Sequence, residues 1–148
     1  MRAILLTISI FSSCASAIPW QAQGIAAADS HFSSLRLSYP ITQLGARLEL
    51  FRMEEGVEVL LSSTSAPFQE MGLALYDGGG EPLEERVRPM EGGMRIRLSP
   101  EMVVRLLVSL TAGESVELEV GGLKTFIDAK GFLPLWEKRG ELLFHIRR

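Results

Sequence analysis

The chain has little of the chemistry on which most enzymes and metal proteins depend. Its 148 residues include one cysteine, Cys14, and two histidines, His31 and His145. Neither histidine belongs to a pair with metal-ligand spacing or to an H-E-x-x-H motif. The G-x-S-x-G turn that presents a nucleophilic serine is missing as well. These absences predict a non-catalytic protein with no metal and no cofactor.

The chain also lacks a strong net charge and a long apolar run. The formal net charge of −3 gives no global reason to bind nucleic acid or an anionic membrane. No segment beyond the N terminus is apolar enough to span a bilayer, so we expect no transmembrane segment in the mature chain. Since Cys14 is the only thiol, no disulfide can form within the chain, and burial and hydrogen bonding must hold the fold.

The first seventeen residues have the pattern of a secretory signal peptide. Arg2 is followed by the apolar stretch 3–11 and by Ala15-Ser16-Ala17, a small-x-small cleavage site. Cleavage after Ala17 removes 17 of the 148 residues and leaves a mature chain of 131. We therefore expect a periplasmic or secreted protein, with the envelope of a Gram-negative bacterium as the natural setting.

Cys14 permits a second interpretation of the same segment. Phe11-Ser12-Ser13-Cys14 resembles a lipoprotein processing site, with small residues before the cysteine and Phe11 where leucine is usual. The alternative to cleavage after Ala17 is therefore lipidation at Cys14. Both interpretations place the domain outside the cytoplasm.

The mature chain is predicted to contain a flexible N-terminal arm, 18–34, and a single β-rich domain, 35–148. Short strands separated by turn signals are typical of a sandwich or an open barrel. The strand segments are 35–39, a hairpin over 44–62, 73–76, a hairpin over 85–99, a hairpin over 116–127, and a last strand or short helix at 141–146. Four glutamates occupy the alternate positions expected on a solvated sheet face: Glu49, Glu58, Glu117 and Glu119.

One strong helix is predicted over residues 100–112 and is expected to pack on the sheets. Ser99 is a suitable N-cap, Pro100 occupies the first helical position and Gly113 ends the helix. The apolar face is wide and the polar stripe narrow, which predicts a helix covered on most sides. The face comprises Met102, Val103, Leu106, Leu107 and Leu110, and the stripe Glu101, Arg105 and Ser109.

Four arginines form the sharpest candidate for a binding site. If Met90-Glu91-Gly92-Gly93 is a hairpin loop, Val87 faces Ile96 and the apolar residues of the two strands match. Like charges that lie opposite each other destabilise a sheet, so the arginines of this hairpin need a counter-ion. In this register Arg88 faces Arg95 and Arg86 faces Arg97.

Two explanations of this arginine patch stay open. The first is relief by solvent and by neighbouring carboxylates, namely Glu84, Glu85 or Glu91. The second is a site for an anion or an acidic partner, because arginine suits bidentate recognition of carboxylates and phosphates. The candidate site residues are Arg86, Arg88, Arg95 and Arg97.

Two further patterns have a structural interpretation. Asp77-Gly78-Gly79-Gly80-Glu81 lacks the repeated acidic positions of a calcium loop and the lysine of a phosphate loop, so we interpret it as a turn. Phe132 and Trp136 are typical of a core cluster, although an exposed pair could serve as a sugar platform.

The C-terminal half resembles a known family. Residues 106–120 have the pattern of a helix, a glycine and an alternating strand, and Lys130-Gly131-Phe132 follows the return strand. Over roughly 94–137 this pattern is similar to the tail of the invasion-associated locus B (IalB-like) family of exported bacterial proteins. The resemblance implies a periplasmic or surface β-sandwich-like domain without established catalytic residues, and it transfers no functional residue to this chain.

The sequence favours an exported, non-catalytic envelope module that binds a protein or an anionic envelope component. One alternative is a loop-type hydrolase inhibitor or immunity-like protein that uses 77–81 or 90–93. Another is a hydrolase with an unrecognised carboxylate pair, since such a pair needs only two acidic groups about 5–10 Å apart in a cleft.

Overall fold

Strands dominate a computed structural model of the chain, which describes residues 19–26, 33–53 and 55–137. The strands are β1 (Gln21–Ala26), β2 (Ser33–Ile41), β3 (Ala46–Met53), β4 (Gly56–Ser63), β5 (Met71–Tyr76), β6 (Leu83–Val87), β7 (Arg95–Arg97), β8 (Val116–Val120) and β9 (Leu123–Ile127). The helices are α1 (Pro100–Thr111) and α2 (Phe132–Glu137), and short 3-10 turns cover Thr42–Leu44 and Glu91–Gly93.

The strands form two antiparallel sheets that share one hydrophobic core. The first sheet has the order β1-β2-β3-β4-β7 and the second the order β6-β5-β8-β9. Inward residues of both sheets and of α1 belong to a single buried cluster, and neither sheet closes into a barrel within the described residues. The predicted mainly β fold with one packed helix is therefore confirmed as a sandwich-like arrangement. No helix in the described ranges is long and apolar enough to cross a bilayer.

Period-two patterning explains the centre of the first sheet. In β3 and β4, Leu48 lies opposite Leu61 and Leu50 opposite Val59, and all four side chains are fully buried. A strand sends alternate side chains to opposite faces, so these leucines place Arg47 on the outer face. The predicted hairpin over 44–62 is confirmed.

The predicted hairpin over 116–127 is also confirmed, as β8 and β9. Val116 lies opposite Ile127 and Val120 opposite Leu123, as expected. Gly121 and Gly122 have φ of 56° and 86°, the left-handed values that a primed two-residue turn requires.

Helix α1 begins at the predicted residue and ends at Thr111, one residue before the predicted end. The Ser99 hydroxyl accepts a hydrogen bond from the Met102 N–H at 3.2 Å, and Gly113 follows the helix with φ of 77°. One part of the prediction is wrong. Val104 and Val108 are about 60 % exposed (59 % and 63 %) and Ser109 is buried, so the helix is covered on one side only.

The prediction of a flexible arm is wrong for residues 21–26, which form β1. Gln21 and Ala22 pair with Ser38 and Leu37 of β2. The sequence of β1 has no clear apolar alternation, and an edge strand can be held by main-chain hydrogen bonds without one. Residues 27–32 of the predicted arm lie outside the described residues.

Trp20 anchors this N-terminal strand in the core. Its side chain is 3 % exposed, and its indole N–H donates to the Asp128 carbonyl at 2.7 Å. Its ring centre lies 4.9 Å from that of Tyr39 and 5.0 Å from that of Phe132. Phe132 is fully buried and Trp136 stacks on it at 5.5 Å, so the interpretation of this pair as a core cluster is confirmed for Phe132.

The glycine-rich turn after β5 is clamped to α1 by an ion pair. Arg105 Nε and Nη2 donate to the two carboxylate oxygens of Asp77 at 2.8 and 2.7 Å, and Asp77 also accepts from the Gly79 N–H at 3.0 Å. The arginine hydrogen bonds lower the pKa of Asp77 from 3.8 to about 2. The interpretation of 77–81 as a turn is confirmed.

We expect Asp77→Asn to cost about 1 kcal/mol of unfolding free energy at pH 7, since the pair is partly solvated and screened. A carboxyl whose pKa is lowered by folding stabilises the fold above its unfolded pKa, and this contribution is lost as the pH falls. The difference between wild type and variant in urea melts should therefore shrink from about pH 4 downwards. Exposed Glu81→Gln is the control. A difference that is the same at neutral and acid pH would contradict the assignment.

Several predictions concern segments outside the described residues. They are the signal peptide at 1–17 with Cys14, the last strand at 141–146, and the two histidines, His31 and His145. These stay predictions from the sequence.

Candidate functional site

The predicted hairpin of the arginine patch does not form. Val87 in β6 lies opposite Met71 in the second sheet, whereas Ile96 in β7 lies opposite Leu61 in the first sheet. The segment between the two strands crosses from one sheet to the other through the turn Glu91–Gly93. The alternation of apolar residues correctly predicts which face of β6 and of β7 is buried. It does not predict their partners, because β6 pairs with β5 and β7 pairs with β4.

Two of the predicted arginines lie at the second sheet and share one carboxylate. Glu70 accepts a hydrogen bond from Arg86 Nε at 3.0 Å and lies 3.7 Å from Arg88 Nε. The Arg86 hydrogen bond and the Arg88 charge hold the pKa of Glu70 below its usual value. Both arginine side chains are mostly exposed.

The other two predicted arginines lie on β7 in the first sheet, each beside a different glutamate. Arg95 Nε is 3.3 Å from a Glu91 carboxylate oxygen, and Arg97 Nε is 2.8 Å from a Glu58 carboxylate oxygen. The expected face that joins all four arginines is therefore wrong. The first explanation of the patch is that neighbouring carboxylates neutralise the arginines. This explanation is correct for Arg95, which pairs with Glu91.

On the outer face of the first sheet, Arg95 of β7 lies in the same row as Arg47 of β3, an arginine outside the patch predicted from the sequence. Across the strands, Arg47 of β3 lies opposite Ser62 of β4, and Ser62 lies opposite Arg95 of β7. The next row across the same face contains Ser38 and Glu49, which are paired in the same way. We call this surface, made of the outward side chains of β1 to β4 and β7 together with Glu91 of the turn before β7, the outer polar face.

Glu49 is buried in the middle of this face. Only 4 % of the residue is exposed, because Arg36 pairs with one carboxylate oxygen and the Ser62 hydroxyl donates to the other at 2.7 Å. The expectation of a solvated Glu49 is wrong, since long arginine side chains can cover a carboxylate on a sheet face. Glu58, Glu117 and Glu119 remain partly accessible.

Arg47 differs from the other arginines of this face. It is exposed, and its side chain has no ion pair or hydrogen bond among the described residues. The outer polar face carries four arginines and three glutamates, and each of the other arginines has a carboxylate partner. The three pairs are Arg36–Glu49, Arg95–Glu91 and Arg97–Glu58. Arg47 is therefore the surplus positive charge of this surface.

Two depressions meet at Arg47. One of about 280 Å³ extends towards β1. The other of about 300 Å³ extends towards β7. Besides Arg47, the first is lined by Gln21, Ala22, Gln23, Arg36 and Ser38, and the second by Glu49, Ser62, Ser63, Thr64, Glu91, Met94 and Arg95. The lining is rich in amide and hydroxyl groups, which both donate and accept hydrogen bonds.

A separate depression lies on the outer face of the second sheet. It measures about 360 Å³ and includes Gly72 and Ala74, with Glu84 and Glu119 opposite Ala74 on its two neighbouring strands. Strands lie about 4.8 Å apart, so the two Cα atoms are separated by about 10 Å. Tyr76 donates to Glu119 at 2.9 Å, and this hydrogen bond raises the pKa of Tyr76.

This carboxylate pair is the closest match to the hydrolase alternative. Glu84 is exposed and Glu119 is only half-buried, so both lie on an open sheet surface. Glycosidic catalysis uses a carboxylate pair that encloses the bond to be cleaved. In the described ranges, no three His, Cys, Asp or Glu residues are grouped so that they could hold a metal ion.

The comparisons with known proteins supply no relative. No protein-family model matches the chain, and no curated protein and no solved structure is significantly similar to it. The resemblance to the invasion-associated locus B family therefore stays a prediction.

Proposed function

We propose that this chain is an exported, non-catalytic binding module that holds an anionic group of a protein or envelope component at Arg47. The observation that carries the proposal is the surplus charge of the outer polar face. Arg47 is the one arginine in the described ranges without a partner, and it lies where two polar depressions meet. The pattern of residues 1–17 supports export.

Arginine is well suited to this role. Its planar guanidinium presents several donors and binds carboxylate or phosphate oxygens in pairs. The neighbouring arginines Arg36 and Arg95 are already engaged by Glu49 and Glu91, so Arg47 is the guanidinium available to a ligand on this part of the face. Since the charge is exposed, binding should weaken as salt rises.

We expect inorganic phosphate to shift the backbone amide signals of Arg47, Ser38 and Ser62 in an NMR titration, and Arg47→Gln to abolish these shifts. The physical reason is that the variant removes the surplus charge and keeps a polar side chain, although a shorter one. Arg88→Gln is the matched control, since Arg88 is an exposed arginine that shares Glu70 with Arg86 on the other sheet. Equal titrations for wild type and Arg47→Gln would overturn the proposal.

The inhibitor alternative rests on the loops at 77–81 and 90–93. Both are fixed, the first by Arg105 and the second by the Phe68 N–H, which donates to the Gly93 carbonyl at 2.7 Å. A rigid exposed loop is what an inhibitor of this kind would use. Loss of hydrolase inhibition on shortening either loop would favour this alternative over the binding module.

A further inference from the structure

We propose that the ligand of the outer polar face is an acidic glycan, a hydroxyl-rich chain with widely spaced anionic groups, laid across β1 to β4. This inference rests on the proposed function, because it identifies the ligand of the same site. One anionic group binds Arg47, and hydroxyl groups on either side occupy the two depressions.

The extent of the site indicates a chain rather than a single ion. The first depression lies over β1 to β3, and the second lies over β3, β4 and the turn before β7. Neighbouring strands are about 4.8 Å apart, so the distance from β1 to β4 is about 15 Å. An inorganic ion would fill only the position at Arg47, whereas an oligomer reaches both depressions.

The lining favours hydroxyl-bearing units over an acidic peptide. Gln21 and Ser38 on one side, and Ser62 and Thr64 on the other, offer amide and hydroxyl groups that can pair with sugar hydroxyls. Acidic peptides are recognised by clusters of arginines, whereas here Arg36 and Arg95 are already paired with carboxylates and only Arg47 is left over. The two depressions lie on the outer face of the sheet, and the main-chain groups of β2, β3 and β4 beneath them are already paired with strands on both sides.

The charge balance limits how acidic the ligand can be. Arg47 contributes one uncompensated positive charge, while Glu91 lines the second depression and Glu58 lies elsewhere on the same face. A dense polyanion would meet these carboxylates as well as the arginines, and like charges repel. A chain that brings one anionic group to Arg47 and neutral hydroxyl groups to the two depressions matches the site better.

The test compares three probes of similar length by calorimetry with the full mature chain. They are a hyaluronan oligosaccharide with one carboxylate per disaccharide, a neutral dextran oligosaccharide and a poly-glutamate peptide. We expect the hyaluronan probe to bind most tightly and Arg47→Gln to weaken it about tenfold or more, as for a hydrogen bond to a charged group. Ser38→Ala with Thr64→Val should weaken it by about fivefold or more.

Thr42→Val is the control for the hydroxyl changes, because Thr42 is exposed and does not line either depression. Tighter binding of poly-glutamate that still depends on Arg47 would overturn the glycan inference and leave the binding site intact. Dextran binding equal to that of hyaluronan, unaffected by Arg47→Gln, would overturn the inference. If neither phosphate nor any of the three probes binds, both the inference and the proposed function are wrong.

Discussion

Replacing Trp20 with alanine is expected to lower the free energy of unfolding by about 3–5 kcal/mol, the range for a buried aromatic side chain. The indole packs against Tyr39 and Phe132 and is almost fully buried. The variant also leaves the Asp128 carbonyl without the indole donor, which adds to the loss. Urea unfolding at neutral pH measures the difference.

Trp136→Ala is the matched control for this experiment. Trp136 stacks on Phe132 and lies under the Arg52 guanidinium at 4.7 Å, but it is only partly buried. Its truncation should cost clearly less, since less apolar area returns to water. Equal losses for the two variants would show that Trp20 is not the anchor that its burial suggests.

Glu49→Leu is expected to destabilise the fold by about 3 kcal/mol, because it leaves the Arg36 guanidinium without its counter-ion. Arg36 is 27 % exposed, so the effect should fall at the low end of what breaking a buried pair costs. Arg36 Nε is already buried without a hydrogen-bond partner, and the Gln23 side-chain oxygen, 3.3 Å from Arg36 Nη1, is a neutral acceptor that cannot replace the lost carboxylate charge. The Ser62 hydroxyl loses its acceptor in the same variant.

The double variant Arg36→Met with Glu49→Leu separates charge from packing. Replacing both partners of a buried pair with apolar groups is often close to neutral, so the double variant should recover most of the loss. Glu58→Leu is the control on the same face, where the ion pair with Arg97 is more exposed and should contribute less than about 1 kcal/mol. A double variant as unstable as Glu49→Leu would contradict a role for the ion pair.

Local patterns predicted much of the fold. Alternation and turn glycines located the β3–β4 and β8–β9 hairpins, and the Ser99 cap with Pro100 located α1. These features depend on residues that are close together in the chain, so a short stretch of sequence contains all the residues that form each turn or helix cap. Strand β1 was not predicted from the sequence, because the pairing of this strand with β2 does not require alternating apolar residues.

The candidate site could not be predicted in the same way. Period-two patterning gives the face of each strand but not its neighbour, and the arginine hairpin was wrong for this reason. The environment of Glu49 combines Arg36 from β2 with Ser62 from β4, and no local window contains all three residues. Arg47 becomes distinctive only when every other arginine of the face has its partner.

Trp20 also limits where a working form of this chain can begin. A product that starts after residue 20 is the energetic equivalent of the alanine variant, since it lacks the same ring and the same donor to Asp128. Cleavage after Ala17 keeps the ring with only Ile18 and Pro19 before it. Removal of three further residues from the amino terminus would therefore remove Trp20 and lower the free energy of unfolding of the whole sandwich.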